Sequence, residues 1–131
     1  MAPIKNLDRL MNSMNPRRVR GEYVFCTMAE KKVALAKDAL LSFREQEGRT
    51  LIIEKSLADN HGLKYESVWA MITLTVHSDL TAVGFLARIT NRLAEEGISV
   101  NVVSAYYHDH LFVPYDKAQE TMKLLKEMTR A

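Results

Sequence analysis

A chain of 131 residues with 47% hydrophobic content can fill the core of one compact domain or of two very small ones. Its net charge is only +2, from 18 basic and 16 acidic residues, so no field large enough to gather nucleic acid is implied. One cysteine, Cys26, allows no intramolecular disulfide, no apolar run approaches the roughly 20 residues of a membrane span, and no export signal opens the chain, so a cytoplasmic protein is expected.

Ile4, Leu7, Met11 and Met14 recur at helical spacing, and Pro16 ends that run, which predicts an amphipathic helix over residues 3–13. Its methionines fit either packing on the domain or an adaptable partner groove. The basic run Arg17-Arg18-Val19-Arg20 reads as a solvated linker. Gly21 leads into a predicted strand, Tyr23 to Met28, in which Cys26 is expected to be a buried small apolar residue rather than a nucleophile.

Residues 29–48 carry two patterns. Val33, Ala36, Leu40 and Phe43 fit a helix, whereas Leu41 to Glu45 alternates as a strand does. Glu47-Gly48 is a turn signal and Thr50 to Glu54 a clear strand, so a hairpin turning there uses both strand-like pieces. Ser56 is placed to cap a short helix from Leu57 that Gly62 ends. Arg44, Glu45 and Glu47 read as a solvated strand edge.

The most ordered pattern runs from Met71 to Val113. Met71 to Val76 is β-branched and strand-like, and a polar loop follows, His77 to Thr81. Ala82, Leu86, Ile89 and Leu93 then step along one helix face until Gly97 stops it. Ile98 to Ala105 predicts a second strand, His108-Asp109-His110 a turn, and Leu111 to Val113 a third strand. Ala118, Met122, Leu125 and Met128 mark a final helix. Strand, turn, strand and helix thus recur from Phe43 to Gly62 and from Tyr106 to Met128, an architectural repeat of two related halves. The second half ends without a closing strand, and Tyr23 to Met28 is the strand available to complete it.

The loop between the first strand and helix of this unit is the candidate ligand site. A helix starting near Thr81 to Val83 offers unpaired main-chain amides and the positive end of its dipole, a receptor for a carboxylate. Gly84 removes a side chain from the first turn. Asp79 supplies the charge an α-amino group needs, Ser78 a hydroxyl, and Asn101 an amide from the adjacent strand. The candidate site is therefore Ser78, Asp79, Leu80, Thr81, Ala82, Val83 and Gly84, with Asn101 and Val102; a plain helix cap by Asp79 or Thr81 is the competing reading. His108 and His110, with His77, lack the further ligands a closed metal set needs, so hydrogen bonding that fixes the hairpin, or a subunit contact, is the expected role and no metal is assigned. No phosphate loop, nucleophile elbow or zinc-protease motif is present, and no catalytic residue or cofactor is assigned.

Asp79, Gly84, Leu86, Ile89, Leu93, Gly97 and Ile98 are spaced as in the loop, first helix and second strand of the ACT domain, which the chain resembles over residues 69–128. The strings from Met71 to Ser78, Asn101 to Val103 and Tyr107 to Pro114 look like those of small stand-alone tandem-ACT proteins, similar in turn to the aspartate kinase regulatory tail and to a cytosolic arginine sensor. Asp79 and Gly84 stand further apart than in the usual Asp-x-x-Gly loop. The resemblance implies an α+β, ferredoxin-like βαββαβ fold with helices on one face of antiparallel sheets. It implies a tandem with a degenerate first half: an N-terminal helix and linker over 1–20, an ACT-like half over 21–66 and an ACT domain over 67–131. The expected function is a non-enzymatic regulatory module binding a small amino acid at a subunit or half-domain interface, as a homodimer, with no nucleic-acid or membrane partner. The alternative is a ligand-free interaction module that uses the same dimer geometry and the methionine-bearing helix; a metal-assisted hydrolase on the histidines is a distant third.

Overall fold

In the computed structural model, residues 2–29 and 35–129 are described. They form two units: one holds the residues up to Arg20 together with those from Ala70 onward, the other runs from Gly21 to Trp69.

The first unit contains α1 (Leu7–Ser13), the opening of β1 (Pro16–Met28), β4 (Trp69–Leu74), α3 (Phe85–Glu95), β5 (Asn101–Ser104), β6 (Asp109–Pro114), a 3-10 turn (Tyr115–Lys117) and α4 (Ala118–Thr129). Its strand order is β1-β4-β6-β5, so the fourth strand of a ferredoxin-like βαββα chain comes from the N-terminus. The stretch expected to be a linker is strand instead. Pro16 sits at its first position, where no ladder donor is required, and charged side chains suit a strand at the end of an order. Arg18 lies over the Tyr115 ring, 5.3 Å from its centroid.

Period-two alternation decides which side of this sheet is covered. Ala70, Ile72 and Leu74 of β4 and Leu111 and Val113 of β6 share one core with Phe85, Ile89 and Leu93 of α3 and Leu124 and Leu125 of α4. The helices therefore lie on one face. Leu10, Met11 and Met14 are buried in that core as well, so Met11 and Met14 pack inward on the domain.

Helix α3 ends as its sequence requires. Gly97 adopts φ +70°, with its N–H donating to the Ala94 carbonyl at 3.0 Å and Ile98 N–H donating to Leu93 at 3.0 Å. This is a Schellman motif, closed by the apolar contact of Ile98 with the same core as Leu93.

In the second unit the rest of β1 pairs antiparallel with β3 (Arg49–Glu54), from Tyr23↔Glu54 to Met28↔Arg49. β2 (Leu41–Arg44) pairs on the other side of β3. The hairpin turns over residues 45–48, where Glu45 N–H donates to the Gly48 carbonyl at 2.8 Å. Val24, Cys26, Leu51, Ile53 and Ala58 make its core. The short helix α2 (Lys55–Asn60) begins two residues earlier than expected, and its N-cap is Glu54 without a side-chain cap bond, so Ser56 does not cap it. Of the helical reading of Val33 to Phe43, Val33 lies outside the described residues, 35–38 form a 3-10 turn, and Leu41 onward is strand.

Candidate functional site

The loop joining β4 to α3 lies wholly in the first unit, and its backbone is tied down before the helix begins. Ile4 bridges it in parallel fashion: Ile4 N–H donates to the His77 carbonyl at 2.7 Å, and Asp79 N–H donates to Ile4 at 2.8 Å. Asp79 Oδ1 accepts from Thr81 N–H at 2.8 Å and from Thr81 Oγ1 at 2.5 Å, an Asx turn. Ala82 N–H donates to the Asp79 carbonyl at 2.9 Å. The amides of Asp79, Thr81 and Ala82 are thus already paired, and they are not the anion receptor the sequence pointed to.

The helix starts later, at Phe85, with Gly84 as its N-cap in the left-handed region at φ +90° and no side-chain cap bond. A Cβ at Gly84 would meet only Leu7 Cδ2, at 3.7 Å. The glycine is therefore needed for its backbone angle, not for space. The first intrahelical bond is Arg88 N–H to the Gly84 carbonyl at 3.0 Å. This leaves the amides of Phe85, Leu86 and Ala87 without a partner among the described residues, at the positive end of an 11-residue helix.

These three residues line a cavity of about 160 Å³. Ser78, Asp79, Ser104 and Asp109 supply its polar wall, and Leu80, Ala82 and Gly84 the remainder. Asp109, the first residue of β6, is 6% exposed, and its Oδ2 accepts from Ser78 Oγ at 3.0 Å. It pairs across the hairpin with Ser104, so both side chains point to the helix-bearing face. Asp79 is only half-buried; the two Thr81 bonds, side chain first, hold its carboxyl below the usual range, and Lys5 and His77 add a weaker pull through space.

Of the residues singled out in the sequence, Ser78, Asp79, Leu80, Ala82 and Gly84 meet at this cavity. Thr81 turns its donors onto Asp79, and Val83 is exposed and does not line this cavity. Asn101 pairs with Phe112 and projects from the opposite face of the sheet, while Val102 pairs with Leu111 and packs against the core. Asp109 is a cavity residue that the sequence reading does not name, because it stands between two histidines. The signal was there: Asp109 is in phase with Leu111 and Val113, and His108 and His110 are out of phase with them.

Both histidines are held by hydrogen bonds. His108 Nδ1 lies 3.2 Å from the Val76 carbonyl and His110 Nδ1 2.9 Å from Thr73 Oγ1. Burial lowers the His110 pKa, and His108 lowers it further against an opposing pull from Asp109. The His77 ring stands 5.3 Å from that of Tyr107, at the tip of the β5–β6 hairpin. Among the described residues no group of three side chains is arranged to hold a metal ion.

Comparisons with known proteins agree with this architecture. A Vibrio cholerae protein of unknown function, described as a possible transport protein, is 43% identical, with 94% of this chain and 95% of that one covered at a TM-score of 0.85. An Agrobacterium tumefaciens protein, 16% identical, superposes over 87% of both chains with a TM-score of 0.70. The ligand-free regulatory subunit of aspartate kinase from Thermus thermophilus, 10% identical, shares the fold over 88% of this chain and 97% of that one at 0.67. A search of curated proteins gave no match. Two family models, both described as ACT domain, match residues 2–70 and 65–127, so the chain belongs to the ACT-domain family, with two copies in tandem.

Proposed function

We propose that this chain is a non-enzymatic regulatory module that binds a free amino acid in the cavity at the start of α3. One observation carries the reading: three unpaired main-chain amides and a buried carboxylate line the same small cavity. An α-carboxylate placed on the amides of Phe85 to Ala87 gains charge-assisted hydrogen bonds and the helix dipole. An α-ammonium beside Asp109 gives that buried carboxylate a counter-charge; among the described residues it makes no ion pair. Asp109 replaces Asp79 in this role, because Asp79 already spends Oδ1 on two bonds from Thr81.

The ligand acts by differential affinity, favouring the arrangement of loop 77–84 that presents both receptors. We assign the module to the cytoplasm, since its single cysteine is a buried free thiol. We assign it a homodimeric state through an exposed strand edge, of which β5 is one. A thermal-shift screen of the twenty amino acids tests the ligand assignment. At a hundred times Kd a binder adds about 2.7 kcal/mol of apparent stability, which raises the melting temperature by several degrees. If none of the twenty shifts the melt, the assignment fails.

A ligand-free interaction module is the second reading, and it has its own support. Leu80, Val83, Tyr106 and Tyr107 are large apolar side chains left exposed on loops of the first unit. This reading gains if the screen is silent and the protein still dimerises.

A further inference from the structure

We propose that residues 2–6 are a strap that fastens the loop 77–84 and opens separately from unfolding, so that its release loosens the cavity wall; the link to a ligand rests on the ligand assignment above. The geometry of the fastening carries it. Ile4 grips the loop where it leaves β4: its N–H donates to the His77 carbonyl at 2.7 Å, and its carbonyl accepts from Asp79 N–H at 2.8 Å. Leu7, the first residue of α1, stands at the other end of the loop. Its Cδ2 is the atom that a Cβ at Gly84 would meet, at 3.7 Å.

The fastening is narrow. The bridge of Ile4 with Ser78 is an isolated one, outside the named strands. It does not run on toward α1, because the Asn6 carbonyl is taken by Leu10 N–H at 3.0 Å and the Asp79 carbonyl by Ala82 N–H at 2.9 Å. Ala2, Pro3, Lys5 and Asn6 are exposed, and of these five residues only Ile4, half-buried, packs on the core. Beyond Asn6 the chain is held differently. Asn6 Oδ1 accepts from Arg9 N–H at 3.0 Å and caps α1, while Leu10, Met11 and Met14 are buried. The helix therefore keeps its cap and its core when the strap leaves. A contact of two main-chain bonds and one half-buried side chain belongs to the low-stability end of the unit.

What the strap fixes is the frame of the loop. Asp79 N–H is bonded to Ile4, and Asp79 in turn accepts from the amides of Thr81 and Ala82. Release removes the first bond and frees the residue on which the other two are built. The closed strap is thus the arrangement that sets Asp79 and Leu80 in the cavity wall. A ligand of that cavity favours the closed strap, and by linkage whatever draws the N-terminal segment away weakens the ligand.

Amide hydrogen exchange of the full chain, followed by NMR in increasing sub-denaturing urea, tests the strap. Relative to its intrinsic rate, the Asp79 amide should exchange at least about tenfold faster than those of Ile89 and Leu93, with a weaker dependence on urea, the mark of local opening. Ile4→Pro removes the donor to His77 and should speed exchange at Asp79, Thr81 and Ala82 by about tenfold, while Ile89 and Leu93 change only as the global stability does. Ile4→Gly keeps both main-chain groups, deletes the side-chain anchor, and should move the same three amides in the same direction. Asp79 sharing the protection and urea dependence of Ile89 and Leu93, or loop amides indifferent to both substitutions, overturns the strap. With the amino acid that raises the melting temperature most, Asp79 exchange should slow about tenfold at saturation. Saturation that leaves it unchanged overturns the coupling and leaves the ligand assignment standing. If no amino acid binds, the ligand assignment and the coupling fail together, and the exchange results still decide the strap.

Discussion

Ser78 Oγ donates to Asp109 Oδ2 at 3.0 Å, linking the loop after β4 to the head of β6 across 31 positions of sequence. One hydroxyl does not neutralise a carboxylate that is 6% exposed. On the proposed reading, a ligand ammonium beside Asp109 offsets the desolvation of that carboxylate.

Asp109→Asn should separate binding from folding. The amide keeps a partner in Ser78 and removes a carboxylate from a buried position, so the melting temperature of the unliganded protein should equal or exceed that of the wild type. The amino-acid-induced shift should disappear. Scanning calorimetry with and without ligand measures both.

Gly84→Ala should cost about 1–2 kcal/mol, because a residue with a Cβ is forced into the left-handed region at φ +90°. The surrounding space tolerates the methyl group, so the loss is one of backbone strain. Urea denaturation gives the figure, and Gly84→Asn should recover part of it.

Leu10→Ala and Met14→Ala should each destabilise the protein by about 2–5 kcal/mol, since both side chains are fully buried in the first unit's core. Val83→Ser, on an exposed position, should stay within about 0.5 kcal/mol. Equal small effects at all three positions would mean that the N-terminal helix is not part of that core.

His110 binds its proton less readily when folded than at its ordinary value of 6.5, so the unfolded state takes up more protons as the pH falls. Stability should be complete above about 6.5 and decline on acidification below it. His110→Gln should flatten that decline between about pH 7 and 5 in chemical denaturation series; His108 and Asp109, the charged groups acting on it, are left in place.

Much of the first unit was legible because its signals are local and consistent. The apolar steps at Ile89 and Leu93, the stop at Gly97 and the alternation through Leu111 and Val113 each name a face or an end. The start of α3 was not legible. Thr81 looks like a cap, yet its donors serve Asp79 while Ile4, distant in sequence, pairs with the loop. Arg17, Arg18 and Arg20 concealed a strand, because the order of a sheet depends on main-chain partners that a charged side chain does not reveal. In His108-Asp109-His110 the imidazoles are the conspicuous groups, whereas the phase of the strand puts the carboxylate on the core side.

The amides of Phe85, Leu86 and Ala87 are the most direct witnesses. In a backbone amide NMR titration with whichever of the twenty amino acids raises the melting temperature most, their three resonances should shift in a saturable way while those of Thr81 and Ala82, already paired, move little. Saturable binding that leaves Phe85 to Ala87 unmoved, or no saturable change with that amino acid, would contradict the account.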